Sequence, residues 1–140
     1  MRLILTLLAA IGMALSSAAL KEHYNLERAP CSINDRWDCG AVNHSPYAAI
    51  REVPVAAIGL AGYLVLAILT WTGPVPVLLM GTGAALGFSL ELTAIEASVL
   101  QVYCTYCVAS LGVISLMALL SLIYSWQCYR GARKTPAKAA

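Results

Sequence analysis

Five cysteines stand at positions 31, 39, 104, 107 and 128, and four of them form two close pairs. Cys104-Thr-Tyr-Cys107 has the C-x-x-C spacing that closes a small disulfide, and a helix beginning there would stabilise the thiolate, which is the reactive form. Half of a zinc site has the same spacing. Cys31 and Cys39 have seven residues between them in a polar stretch, which suits a mobile shuttle disulfide that must touch two partners. The same pair could simply staple the loop, and all four cysteines could hold zinc, although the second pair lacks C-x-x-C spacing. Cys128 reads as a small buried apolar residue.

Two carboxylates lie among apolar residues, and a charge inside a membrane helix marks a functional candidate. Glu91 and Glu96 are the candidates for a proton relay. Counted from Pro76 at 1.5 Å per residue, Glu91 lies about 22 Å along a helix, inside the membrane, and Glu96 about 30 Å along, at the interface with water. His23 and His44 read as solvated loop histidines. Tyr103, Tyr106 and Trp71 read as members of interfacial aromatic belts.

The elements that position these groups follow from composition. Of 140 residues 60% are hydrophobic and 11% charged, which excludes a water-soluble domain. No charge occurs from Leu3 to Leu20, from Val53 to Leu90 or from Ala97 to Tyr129. A hydrocarbon core of about 30 Å takes about 20 helical residues to cross, so these blocks hold four crossings. Residues 1–140 thus read as a single all-α domain, a four-helix transmembrane bundle. The crossings are predicted at 3–20, 53–72, 76–102 and 105–129, with a loop at 21–52 and a basic tail at 130–140. The first block offers Arg2 and Ser17-Ala18-Ala19, as a cleaved signal would, but its apolar run exceeds the usual core of about 7 to 15 residues, so it reads as a retained helix. Ala29-Pro30 and Ser45-Pro46 predict turns in the loop, and Thr72-Gly73-Pro74-Val75-Pro76 a tight turn between the second and third crossings. Gly83 with Gly87 and Ala57 with Ala61 predict faces for close helix packing.

Four antiparallel crossings bring both cysteine pairs to one membrane face and both termini to the other. The tail residues Arg130, Arg133, Lys134 and Lys138 carry no acidic neighbours, which puts the termini in the cytoplasm and the cysteines outside, where disulfides persist. The net charge of +2 forms no basic stripe, which argues against nucleic acid as a partner.

Cys31-x7-Cys39, Val42, Ser45-Pro46-Tyr47, Val53-Pro54-x4-Gly59-x3-Tyr63 and Glu96-x7-Cys104-Thr-Tyr-Cys107 occur in that order, and together they resemble the vitamin K epoxide reductase family, in particular its prokaryotic members. DsbB carries its C-x-x-C pair first, whereas here the wide pair leads. The resemblance implies an extracytoplasmic loop between the first two helices of a bundle in the inner (plasma) membrane. It also implies a thiol:quinone oxidoreductase that passes electrons from a DsbA-like thioredoxin-fold thiol oxidase to ubiquinone or menaquinone, with no metal. On it, Cys104 and Cys107 form the active-site disulfide and Cys31 and Cys39 the loop shuttle, with Cys107 towards the quinone. Val42, Ser45, Tyr47, Val55 and Leu111 are the implied quinone-side positions. Animal members have a quinone-binding asparagine and tyrosine where this chain has Val55 and Leu111, which implies plain quinone reduction in place of epoxide reduction. The reading from another functional class is a non-catalytic membrane subunit whose cysteines bind metal or staple the loop.

Overall fold

A computed structural model describes residues 1–25 and 31–134. The Ala29-Pro30 turn, Arg28 and Lys138 lie outside the described residues. Helix α1 spans Arg2–Tyr24, and a short α2 spans Cys39–Asn43. A two-stranded hairpin follows, β1 at Ala49–Ile50 and β2 at Val53–Pro54. Helix α3 covers Val55–Thr72, α4 Val75–Ile95 with a π-helical continuation over Glu96–Leu100, and α5 Thr105–Lys134. Among the described residues four helical segments are long and apolar enough to cross a membrane, and the protein is a multi-pass membrane protein.

The helix limits differ from the sequence expectation where polar ends stay helical. Helix α1 continues through Lys21 to Tyr24, and α5 runs through Arg130. The second crossing starts two residues late because Val53 and Pro54 pair with Ile50 and Ala49 across a tight turn. Its central residues, Arg51 and Glu52, have φ of 48° and 70°, the left-handed region that two-residue hairpins demand and that side chains with a Cβ resist.

The bundle packs α1 on both α3 and α5, and α4 on α5. Its core holds Leu5, Ala9, Tyr63, Leu66, Leu78, Ile114 and Met117. Large apolar residues such as Met80, Leu64, Ile68 and Leu119 face outwards, as a surface solvated by lipid tails requires. With no hydrophobic drive between helices in lipid, close approach and hydrogen bonds must hold them. Gly12 lies against the Tyr63 ring, which a Cβ there would strike, and Gly59 packs on the Ser16 hydroxyl. The Thr82 and Ser121 hydroxyls, 2.8 Å apart, join α4 to α5. The expected small-residue faces are elsewhere: Gly83 and Gly87 border open space, and Ala61 is exposed. Close contact runs instead through Gly12, Ser16 and Gly59, where α1 crosses α3.

The far end of the bundle carries the N-terminus and the α3–α4 turn together. Arg2 Nε donates to the Tyr124 hydroxyl at 3.4 Å, and Trp71 Nε1 to Thr6 Oγ1 at 2.9 Å. Cys128 is exposed rather than buried, because α5 outruns its neighbours and leaves Trp126 to Arg130 uncovered.

Candidate active site

At the opposite end the loop is fastened to the start of α5. The Tyr103 N–H donates to the Arg36 carbonyl at 2.8 Å, and the Asp38 N–H donates to the Tyr103 carbonyl at 3.1 Å. The Trp37 and Tyr103 rings lie 5.6 Å apart beside this bridge. Asp38 caps α2, accepting from the Ala41 N–H at 3.2 Å and from the Ser32 hydroxyl at 2.6 Å. That cap makes Cys39 the first helical residue and aims it inwards. Cys31 and Cys39 are joined in a disulfide, and both are buried in one cluster with Val42 and Cys104. The loop pair is therefore docked on the bundle, beside the helix-end pair. Sequence patterns do not register a backbone bridge, because any residue with an N–H and a carbonyl can make one.

Asn43 was missed. Its amide Nδ2 donates to the Cys39 carbonyl at 2.9 Å and lies 3.7 Å from the Cys104 sulfur, so it touches both cysteine pairs. The Asn43 backbone carbonyl lies 2.6 Å from His23 Nδ1. His23 is thus no solvated loop residue; it belongs to α1 and ties that helix to the end of α2. His44, exposed, bonds back to the Gly40 carbonyl at 2.8 Å, and the two histidine rings stack.

Cys104 immediately precedes α5 and Cys107 lies in its first turn; both are free thiols. Gln101, with φ of 52°, turns the chain from the π-helical segment into this helix start. The Cys104 sulfur and the Glu96 carboxylate are alternative acceptors for the single proton of the Cys107 thiol. Glu96 also accepts the Cys104 N–H at 3.2 Å and is almost fully buried. The Cys104 thiol is held below the ordinary cysteine range. The hydrogen bond from Cys107 is the chief cause, and the N–H groups of Cys107 and Tyr106 add to it; burial and the Glu96 charge oppose.

The two carboxylates differ in what surrounds them. Glu96 is enclosed at the cysteines, whereas Glu91 is exposed on the outer side of α4 and lines neither cavity. Five helical residues amount to about 500° of rotation, so the two side chains cannot share a face. Depth counted along an axis carries no information about that rotation.

A cavity of about 260 Å³ lies between the four spans directly inward of Cys107. This approaches the roughly 300–1,000 Å³ of ligand pockets, and the walls are mostly apolar with a few hydroxyls, as such pockets are. Helices α3 and α4 supply most of the lining yet touch each other little, so the cavity opens between them. Ile58 and Phe88 line it and are also exposed, one on each side of that opening. The implied quinone-side residues divide. Val55 lines this cavity, while Val42, Ser45, Tyr47 and again Val55 line a second space of about 50 Å³ beside Glu96, too small for an aromatic ring. Leu111 lines neither and packs against the core cluster; Ser110 and Ile114 face the cavity instead, three and seven residues past Cys107. Tyr106 lines the cavity, Tyr103 belongs to the loop bridge, and only Trp71 of the three aromatics stands on the outer surface.

The family model for the vitamin K epoxide reductase family matches residues 3–122, from the first turn of α1 to late in α5. No curated protein matches the chain.

Proposed function

The chain belongs to the vitamin K epoxide reductase family, whose members are membrane thiol-disulfide oxidoreductases, and we propose that it oxidises a thioredoxin-fold, DsbA-like dithiol protein at the expense of a membrane quinone. The net reaction takes two electrons and two protons from the partner dithiol, leaving a disulfide, and delivers them to ubiquinone or menaquinone as a quinol. The observation that carries this reading is the double position of the C-x-x-C pair: Cys104 packs with the loop disulfide, and Cys107 lines the apolar cavity.

In the proposed sequence a partner thiolate attacks the Cys31 sulfur and Cys39 leaves as a thiolate. The second partner thiol then resolves the mixed disulfide, releasing Cys31 and an oxidised partner. Cys39 attacks Cys104 of the oxidised helix-end pair, and Cys107 leaves. Cys31 next attacks Cys39, which restores the Cys31–Cys39 disulfide and frees Cys104 as a thiolate. The arrangement of a closed loop disulfide beside free Cys104 and Cys107 fits the state after that internal exchange. Asn43 steadies Cys104 against the loop. Glu96, within hydrogen-bond reach of Cys107, takes up the thiol proton as the pair closes again. A bound quinone supplies the two-electron acceptor. Its ring fits the cavity, and its isoprenoid tail requires the lateral opening between α3 and α4. The cysteine end then faces the periplasm or cell exterior, and both termini face the cytoplasm, with the protein in the inner membrane.

Protein in detergent or liposomes, given a reduced thioredoxin-fold protein and a short-tail ubiquinone analogue, should form quinol in proportion to the thiols consumed. Cys107→Ala and Cys104→Ala should abolish quinol formation with every thiol donor, and activity surviving in Cys107→Ala would sink the assignment.

A further inference from the structure

The quinone needs a polar handle in a cavity whose walls are chiefly hydrocarbon, and positions 55 and 111 cannot supply one, being Val and Leu. The Tyr63 hydroxyl, on α3, donates to the Ser110 carbonyl on α5 at 3.0 Å. The Tyr63 and Ser110 hydroxyl oxygens are 2.8 Å apart, and either can be the donor. Both residues line the cavity. Ser110 follows Cys107 by three residues, so it stands on the same side of α5 about 4.5 Å farther in. Thr93, another hydroxyl of the lining, uses its proton on the Ser89 carbonyl within its own helix.

From this geometry we infer that Tyr63 and Ser110 form the anchor for one carbonyl oxygen of the quinone headgroup, with Ser110 as the donor and Tyr63 as the residue that orients it. The proton count permits it. The pair has two hydroxyl protons, and one bond, from Tyr63 to the Ser110 carbonyl, is satisfied without Ser110 giving up its own. Tyr63 can share its proton between the Ser110 carbonyl and the Ser110 hydroxyl oxygen, which orients that hydroxyl and leaves the Ser110 proton free for a ligand carbonyl. The Tyr63 ring cannot drift, because Gly12 of α1 lies flat beneath it and its neighbours in the core enclose it. An apolar cavity makes such a bond worth more than in water, since no solvent competes for the carbonyl. The pair thus fixes a ring's depth beneath Cys107, and so the distance at which the thiol pair and the acceptor meet.

The inference rests on the thiol:quinone reading, and binding separates the two. Equilibrium titration of the purified, detergent-solubilised protein with 2-methyl-1,4-naphthoquinone gives Kd without turnover. A net hydrogen bond corresponds to about a two- to tenfold change. Ser110→Ala and Tyr63→Phe should each raise Kd by that factor, Ser110→Thr should restore it, and the double variant should be no worse than the poorer single one. The rate of Cys31–Cys39 reduction by a small dithiol, a step remote from the cavity, should keep its value in all of them. An unchanged Kd in both Ser110→Ala and Tyr63→Phe overturns the anchor and leaves the wider reading standing. A wild-type protein that binds no naphthoquinone or ubiquinone analogue overturns both.

Discussion

Glu96→Gln separates a proton acceptor from a structural prop. Gln keeps the shape and an oxygen for the Cys104 N–H, now at 3.2 Å from the carboxylate, so α5 should start as before. It removes the negative charge and the basic site that the Cys107 thiol reaches. Loss of a positioned base costs about 10²- to 10⁴-fold in rate. The lower end applies here, because the 50 Å³ space beside Glu96 exceeds the roughly 10–15 Å³ that one water needs, and a water there can carry part of the proton traffic. A fall of about a hundredfold, close to 2.7 kcal/mol of barrier, is therefore expected in quinone reduction. It is read in a single turnover by mixing fully reduced protein with quinone and following its absorbance. Cys104 should move the other way. The Glu96 charge opposes its thiolate, so its removal favours that form, and alkylation of Cys104 in the variant should reach half its limiting rate at lower pH than in the wild type. In the wild type that midpoint should already lie below the ordinary cysteine range. A quinone-reduction rate within about threefold of the wild type would refute the proton-acceptor role. An alkylation midpoint displaced to higher pH would refute the electrostatic argument.

Asn43→Leu removes the amide that touches the Cys39 carbonyl and the Cys104 sulfur, and should slow exchange between the two pairs about tenfold, measured by rapid-quench alkylation and mass readout, while Kd for quinone stays put. Ile58→Trp or Phe88→Trp narrows the opening between α3 and α4, and should slow reduction of an isoprenoid quinone more than that of a tail-less naphthoquinone; equal slowing would place the access route elsewhere. Glu52→Gly relieves a left-handed residue in the hairpin turn and should stabilise the protein by about 1 kcal/mol, seen as a higher Tm in detergent, without altering exchange.

What was legible in the sequence is what repeats along it. Charge-free runs of sufficient length located four spans, and the antiparallel connectivity of those spans located the two cysteine pairs at one end. Properties fixed by rotation about a helix or by backbone pairing were not legible. Glu91 and Glu96 look alike in sequence and differ by roughly 140° around the axis, and the π-helical turn over Glu96–Leu100 that carries Glu96 towards the cysteines has no pattern of its own. Leu111 and Ser110 are neighbours, yet only Ser110 faces the cavity. Asn43 could have been found: four residues after Cys39 it shares that cysteine's side of any helix starting there, and the Asp38 cap announces such a helix. The Tyr103 bridge could not, being made wholly of backbone.

The docked loop bears on how the proposed relay keeps its electrons. A shuttle on a free tether meets Cys104 only as often as chain diffusion allows and meets every other thiol as well. Fastened through Tyr103, Asn43 and His23, it presents Cys39 to Cys104 with the advantage of an oriented intramolecular reaction, worth orders of magnitude in effective concentration. Burial has an opposing effect, because a partner thiolate must reach a disulfide whose Cys39 side is fully enclosed. Both cysteines are buried, Cys39 completely and Cys31 at 8% exposure, an order that fits the proposed attack on Cys31 and release of Cys39 inwards. Loosening the dock should therefore expose Cys39 to small thiols while slowing its delivery to Cys104, two effects that a change in disulfide stability alone would not produce together.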